Sequence, residues 1–430
     1  MVTTAAPPSP PTEPIAVLSS SPPWRQTFVS LGVRNYRLFA SANLIAMSAV
    51  WMQRIAQDWL ALELTGSTAA VGAMSALQFG PMLLFGLLGG LIVDRYRTRT
   101  LLVITQSLSF LTSAVLAVVV LLGVAQIWHV FAAALVLGFV TVVDNPARQV
   151  FTGQLVGPRL LPNAISLNSS GFQLGGIIGP AASAVLLVSV GAGWSFAINA
   201  LACASTVVAL TRLRSSEMHP VPRAPRRRGQ LIEGLRYAAA KPAILWTIVI
   251  MGVLAVFSQN LPVLLAGFAD HVFGTGAGGY GAFNTLVAVG ALTGAILSTR
   301  RRTVRLRTVV LCALGYAAAQ SLTALLPTET AFGAGLVVTG LGWLLFITCA
   351  NTLVQMSSNA AIRGRVMALY VLVLLGGQAL GGPIMGQVVE NVGARAGMLL
   401  SGAVPVVVIG VIGLVLARRS RSPRGRIAGG

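Results

Sequence analysis

Acidic residues are scarce in this chain. Of its 430 residues only 10 are Asp or Glu, and charged residues of all kinds make up 9%. A soluble domain carries about 25%, so these charges are too few to cover a water-facing surface of this size. Cysteine is almost missing: Cys203, Cys312 and Cys349 lie far apart in apolar stretches, with neither a disulfide framework nor zinc-ligand spacing. The three histidines, His129, His219 and His271, fall at the ends of such stretches and form no cluster of bases or metal ligands. No Walker A pattern is present, which excludes an ATP-driven pump within this chain. The first 23 residues contain no Lys or Arg and no central apolar run, so they do not read as a secretory signal. Residues 1–38 read instead as a disordered cytosolic tail.

Apolar residues are abundant: 55% of the chain, with a mean hydropathy of +0.81. That excludes a disordered protein. About 20 apolar residues span the ~30 Å hydrocarbon core as a helix. Twelve runs qualify, at 39–62, 69–93, 101–122, 127–145, 164–190, 194–213, 243–268, 280–299, 306–326, 330–356, 366–389 and 395–417. Their length excludes strands of a membrane barrel, which are shorter and alternate.

The formal charge of +20 would suggest a nucleic-acid partner if it sat on one soluble face. It does not. Of the 30 basic residues, 28 fall in the two tails and in alternate connections between runs; Arg395 lies on the other side and Arg54 inside the first run. The positive-inside rule then puts both termini in the cytosol of a multi-pass membrane protein, bound to lipid and not to nucleic acid. The longest connection, 214–242, carries Arg226–Arg228 and a short amphipathic piece. It reads as a cytosolic basic linker between halves 39–213 and 243–417, with 418–430 as a basic tail.

The halves repeat. Gly86-x-x-x-Gly90-x-x-x-Asp94 in the second run answers Gly290-x-x-x-Gly294-x-x-x-Ser298 in the eighth. Asn145-x-x-x-Gln149 answers Asn351-x-x-x-Gln355, and Gly175-x-x-x-Gly179-Pro180 answers Gly377-x-x-x-Gly381-Gly382-Pro383. Small residues every fourth position let helices approach closely in lipid. Matching runs lie six apart, so the repeat is parallel about an axis along the membrane normal, and such pairs form a site at their interface. The expected fold is all-α, with twelve membrane helices in two six-helix bundles.

Gly90-Leu-Ile-Val-Asp94-Arg95-Tyr-Arg-Thr-Arg99 is similar to the loop motif between helices two and three of the major facilitator superfamily, departing from it at Arg97 and Thr100. Gly175 to Pro180 resembles that superfamily's helix-five motif of antiporter-type exporters, with Ser183 and Ala184 in place of the final glycines. Four further stretches resemble the enterobactin-exporter-like branch of bacterial efflux carriers: Asn35-Tyr-Arg-Leu-Phe39, Gln57 to Ser67, Asp144-Asn-Pro-Ala-Arg-Gln149, and Asn351-Thr-Leu-Val-Gln355 with Arg363-Gly-Arg-Val366. The resemblance implies a latch of Gly90, Asp94, Arg95, Arg99, Asp144 and Arg148 that breaks as the halves rock. In it Asp94 caps the eleventh helix near Arg365, and Arg95 or Arg99 pairs with Asp144. The alternative is that these are ordinary loop charges.

Arg54 and Asp58 stand at i and i+4 in the first run, on one face. An ion inside the membrane costs about 2.5–3.5 kcal/mol on insertion scales. Two readings stand: Asp58 couples protons, with Arg54 tuning it or meeting an anionic substrate; or the two form a structural pair near the helix end. Polar and aromatic candidates for the cavity wall are Asn43, Trp51, Gln53, Gln57, Asn168, Gln173, Asn199, Gln259, Asn260, Asn284, Gln320 and Gln378, with bridging between helices as the alternative for the amides. Gly175, Gly179, Pro180, Gly382 and Pro383 are expected to pack helices.

These readings converge on a secondary carrier, with no enzyme chemistry, metal or cofactor. It is expected to work as a monomer and export a small amphipathic molecule, drug-like or a siderophore, against inward proton flow. An importer of the same fold, or a membrane sensor or scaffold, is the alternative.

Overall fold

The computed structural model describes residues 24–219, 230–298, 304–359 and 362–421. Most of the expected tail, Arg223 and Arg226–Arg228 of the linker, Arg300–Arg302 and residues 422–430 lie outside the described residues. Within them the chain is helical, without strands. The elements are α1 (Arg34–Thr65), α2 (Thr68–Arg95), α3 (Thr98–Leu121), α4 (Ile127–Ser189), α5 (Ala192–Thr211), α6 (Gln230–Ala240), α7 (Pro242–Phe257), α8 (Leu261–Gly267), α9 (Gly276–Ser298), α10 (Leu306–Ala324), α11 (Glu329–Ser357), α12 (Arg363–Val392) and α13 (Ala394–Arg421). Among the described residues, nine helical segments are long and apolar enough to cross a membrane. Helices satisfy every backbone polar group internally in hydrocarbon and leave no sheet edge.

Three boundaries depart from the apolar runs. The first helix begins at Arg34, ahead of residue 39, and the Ser30 hydroxyl donates to Asn163 Oδ1 at 2.6 Å. The segment from Ser30 to Leu38 is therefore docked on the helices and is no free tail. The seventh run breaks at Ser258–Asn260; the Asn260 amide turns back onto the Val256 carbonyl (2.8 Å) and Pro262 opens α8.

The largest departure is α4. It has 63 residues, and a straight helix of that length would reach about 95 Å, three times the hydrocarbon thickness. The chain turns at Gly157, whose φ of 70° and ψ of 176° are tolerated by glycine, and Pro158 starts the second leg. The polar stretch expected as a loop is helical up to this point. Arg148, assigned to that loop, is therefore inside the helix, with its side chain only 12% exposed.

Three large apolar cores organise the helices. One contains Tyr36, Phe39, Val93, Leu102, Phe151 and Leu210, all from the first half. A second contains Ile244, Val310, Tyr316, Phe346, Val366 and Ile412, all from the second half. Both lie toward the end that carries the start of α1 and the end of α13. The third, toward the opposite end, draws on both halves: Ile55, Trp59, Met74 and Phe196 pack with Leu264, Phe268, Tyr280, Phe332, Met385 and Met398. The two halves thus share one core at one end and keep separate cores at the other.

The seam is built on small residues. A methyl group at Gly382 would lie 2.5 Å from Ser75 Cβ and 2.7 Å from the Gly72 carbonyl oxygen, so α2 and α12 are nearly in backbone contact. The second leg of α4 meets α9 in the same way, Ala184 against Gly281. At the joined end, Glu390 of α12 reaches over the start of α2. Its Oε2 accepts from the Thr68 amide (2.8 Å), the Ser67 hydroxyl (3.1 Å) and the Thr68 hydroxyl (3.0 Å). A carboxylate there satisfies orphan amides and complements the helix dipole.

A hydrogen bond to a charged group contributes about 1.5–3 kcal/mol. Glu390→Ala is expected to speed amide hydrogen exchange at Thr68 and Ala69 by about tenfold or more, leaving Tyr36 to Phe39 unchanged. Equal exchange at Thr68 in both proteins would show that the carboxylate holds nothing.

Candidate functional site

Between the joined core and the first half's own core lies a cavity of about 200 Å³. Kinked and closely packed helices bring its wall together: α1 supplies Trp51, Gln53, Arg54 and Gln57, α2 supplies Gln78 and Phe79, and α3 supplies Gln106. Asp144, Arg148 and Phe172 come from the two legs of α4, Asn199 from α5, and Leu375 from α12. Gly175 and Gly179 make this possible. A methyl group at Gly179 would sit 2.5 Å from Trp51 Cβ and 2.7 Å from the Ser48 carbonyl oxygen, and Pro180 beside it is buried. Both glycines pack α4 onto α1, and Gly382, with Pro383 beside it, lies on the α2–α12 seam.

One end of the cavity holds an ion pair. Arg148 Nε donates to Asp144 Oδ2 at 2.5 Å, and Arg148 Nη1 donates to Asn43 Oδ1 at 2.5 Å. Thr105 and Gln106 donate to Asp144 Oδ1 at 2.8 and 2.9 Å. Asp144 therefore takes Arg148 as its partner in place of Arg95 or Arg99. Arg99 donates to the Thr211 carbonyl and Ser215 Oγ, while Arg95 is exposed. Every partner in this cluster belongs to the first half, so the Asp144–Arg148 pair ties α1, α3 and α4 together and does not bridge the halves. Asp94 and Gly90 lie at the end of α2, Asp94 exposed. Arg365, at the head of α12, pairs at 2.5 Å with Glu233 of α6, a contact not foreseen from sequence.

At the opposite end of the cavity, Arg54 and Asp58 make no direct ion pair and act on each other only through space. Asp58, 5% exposed, accepts long hydrogen bonds of 3.5 Å from Gln78 Nε2 and from the Tyr280 hydroxyl across the seam. The Arg54 guanidinium lies instead over two rings, 5.3 Å from the centroid of Trp51 and 5.1 Å from that of Phe79.

The remaining candidates divide. Trp51 and Gln57 line the cavity, while Asn43 supports it from behind through Arg148. Asn168 donates to Thr152, Asn260 to its own helix, and Asn284 to the Tyr280 carbonyl. Those three side chains satisfy local backbone or hydroxyl groups, and none is in the cavity wall. Gln173, Gln259 and Gln378 are half-buried and also lie outside the wall.

Three further sequence candidates, Gln53, Asn199 and Gln320, sit in buried polar networks that bridge helices. Gln53 Oε1 accepts from Ser113 (2.9 Å) and from Asn199 (2.6 Å), joining α1, α3 and α5. The second half has its counterpart: Gln320 of α10 donates to Ser401 Oγ (2.8 Å) of α13 and to the carbonyl of Ser258 (3.2 Å), just after α7. Corresponding helices of the repeat thus carry corresponding networks. Only the first half's network borders the cavity. There Gln53 Nε2, Gln57 Nε2, Gln106 Oε1 and Asn199 Oδ1 are buried without a hydrogen-bond partner among the described residues. Such atoms are costly in a low-dielectric interior and mark a place where a further partner is accommodated.

With this geometry in view, comparisons with known proteins are informative. The transmembrane secretion effector family matches residues 25–423, so the chain belongs to it. It is a multi-pass membrane transporter of the major facilitator superfamily. Among relatives, the enterobactin exporter EntS of Salmonella choleraesuis (strain SC-B67) is 26% identical over 388 residues, covering 89% of this chain and 91% of EntS. EntS of Shigella boydii serotype 18 is 27% identical, with coverages of 82% and 84%. Solved structures share the fold. A bacterial homologue of the lysosomal transporter Spinster, facing inward and unoccupied, has a TM-score of 0.67 at 16% identity, covering 93% of this chain and 98% of its own. A POT family transporter gives 0.70 at 13% identity, with coverages of 90% and 97%.

Two substitutions test this packing. Gly179→Val overfills the α1–α4 contact and is expected to lower the thermal midpoint of the purified protein, an effect of about 1–3 kcal/mol. Asp144→Asn strands Arg148 and costs about 3–5 kcal/mol, and the double variant Asp144→Asn/Arg148→Gln recovers much of that loss. A double variant no more stable than Asp144→Asn would show that the pair is not the partner relation described.

Proposed function

We propose that this chain is a secondary active exporter of a small amphipathic molecule, driven by inward proton flow and working by alternating access as a monomer. Counting the two legs of α4 separately, and α7 with α8 as one span, gives twelve crossings. In this reading residues 39–213 and 243–417 form two six-helix bundles. Residues 214–242 are a cytosolic linker, and both termini are cytosolic in a bacterial cytoplasmic membrane.

The observation that carries the proposal is the division of the cores. Halves that share a core at one end and keep separate cores at the other can rock about a cavity between the two ends. Similarity to enterobactin exporters along most of both chains favours export over import, and a siderophore or drug-like cargo fits the aromatic and amide wall. The positive-inside pattern supports a divided end facing the cytosol, which is where an exporter loads.

Asp58 is the proposed proton-coupling residue. It is buried and touches both halves, through Gln78 and Tyr280. Loading a proton there changes the charge at the seam itself, which makes it better placed for coupling than Asp144, held within one half. For Asp94 and the 2–3 loop we keep the proposal of a latch at the cytosolic end.

In inside-out vesicles energised by respiration, amphipathic compounds that the protein carries are expected to draw protons out, read with an acridine pH probe. Asp58→Asn is expected to lose this movement by tenfold or more while keeping its fold. Full proton movement in Asp58→Asn would eliminate that residue as the coupling site.

A further inference from the structure

We infer that the cavity selects an anionic amphipathic molecule, whose charged group is held by Arg54 and whose planar apolar part lies against Trp51, Phe79 and Phe172. This rests on the reading of the cavity as a substrate site and names the class of substrate.

Charge accounting in the wall carries the argument. Three charged side chains line the cavity: Arg54, Asp144 and Arg148. Asp144 and Arg148 neutralise each other at 2.5 Å. Arg54 has no such contact: among the described residues it makes no hydrogen bond and no ion pair, and Asp58, four residues on, balances its charge only through space while its oxygens turn to Gln78 and Tyr280. Two aromatic faces are its neighbours. Ring faces attract the cation but leave the five N–H donors of the guanidinium without acceptors. A cation so placed, away from bulk water, gains most from a molecule that brings its own negative charge. The planar fork of arginine suits a carboxylate, sulfonate or phosphate, which it binds through two parallel hydrogen bonds.

The amides of α1 point the same way, while Gln106 Oε1 on α3 and Asn199 Oδ1 on α5 offer acceptors. Gln53 is 2% exposed, and its Oε1 is engaged by Ser113 and Asn199. In this orientation Nε2 is the atom left without a partner, and Nε2 is a donor. Gln57, 1% exposed and one turn from Gln53, adds a second unpartnered amide nitrogen. Donors beside a cation suit an acceptor-rich anion. The volume, about 200 Å³, is below the roughly 300–1,000 Å³ of pockets for drug-sized ligands, so the cavity takes a compact aromatic acid or the acidic end of a larger molecule.

The test uses an isosteric pair, naphthalene-2-sulfonate and its neutral amide, naphthalene-2-sulfonamide. Binding to the full-length protein in lipid nanodiscs is measured by equilibrium dialysis, with empty nanodiscs subtracted. The wild type is expected to bind the anion at least tenfold more tightly than the amide. Arg54→Gln is expected to bring the two affinities together by weakening the anion alone. Arg54→Lys is expected to keep part of the preference. Should Arg54→Gln not fold, Gln57→Leu supplies the second reading: it removes an unpartnered donor without breaking the Gln53 network and is expected to cut anion affinity several-fold more than amide affinity. Equal binding of the pair by the wild type, binding of neither, or an undiminished preference in Arg54→Gln or Gln57→Leu would overturn the inference. Its failure is separable from failure of the transport reading. Movement of the amide across vesicles without anion preference would refute the charge selection alone. Anion binding without transport would leave the site as inferred and refute the carrier.

Discussion

The structure depends on one constraint: inside hydrocarbon, polar and charged groups must find partners within the protein. Helices satisfy the backbone, but 10 acids and 30 bases distributed over 430 residues leave few side chains to balance one another. Where an ion enters the helical body, the packing is arranged around it. Asp144 collects Arg148, Thr105 and Gln106, and that one cluster fixes the first leg of α4 against α1 and α3. Asp58 is satisfied only with help from the other half, through Tyr280. The first arrangement makes a rigid bundle. The second places one carboxyl group at the junction of the halves.

Small residues serve the same economy of space. Gly72, Gly382 and Gly386 bring α2 and α12 close enough for Glu390 to cap the start of α2. Gly175 and Gly179 bring Trp51 and Phe172 to one wall, where their rings meet at 5.6 Å. Arg54 then occupies a surface of aromatic faces and amide groups. Without those glycines the helices would stand farther apart and the cavity would lose its walls.

Much of the fold was legible in the sequence, because its signals are local. Long apolar runs, glycines at four-residue spacing and arginines in alternate connections each report on a segment by itself. The failures were also physical. Arg148 looked like a loop residue because the polar stretch around it has no apolar run, yet it is helical and buried against Asp144. The i,i+4 spacing of Arg54 and Asp58 suggested a pair, whereas Asp58 turns to Gln78 and Tyr280, the latter 222 residues away. The network of Gln53, Ser113 and Asn199 draws on three helices, and neither helical periodicity nor hydropathy tells which helices are neighbours. Glu390, a lone acid at a helix end, had no local pattern to single it out.

The central claim is that the halves are joined at one end, divided at the other, and exchange these states about the cavity between them. Distances between paired spin labels test it most directly, in a protein whose three cysteines are replaced by serine. One pair, at Val124 and Leu325, reports on the joined end. The other, at Tyr96 and Leu306, reports on the end where the cores are separate. The account predicts that shifting the equilibrium, by a pH gradient or a bound substrate, lengthens one distance while it shortens the other. Distances that change in the same sense, or a fixed distance at both ends in every condition, would contradict it.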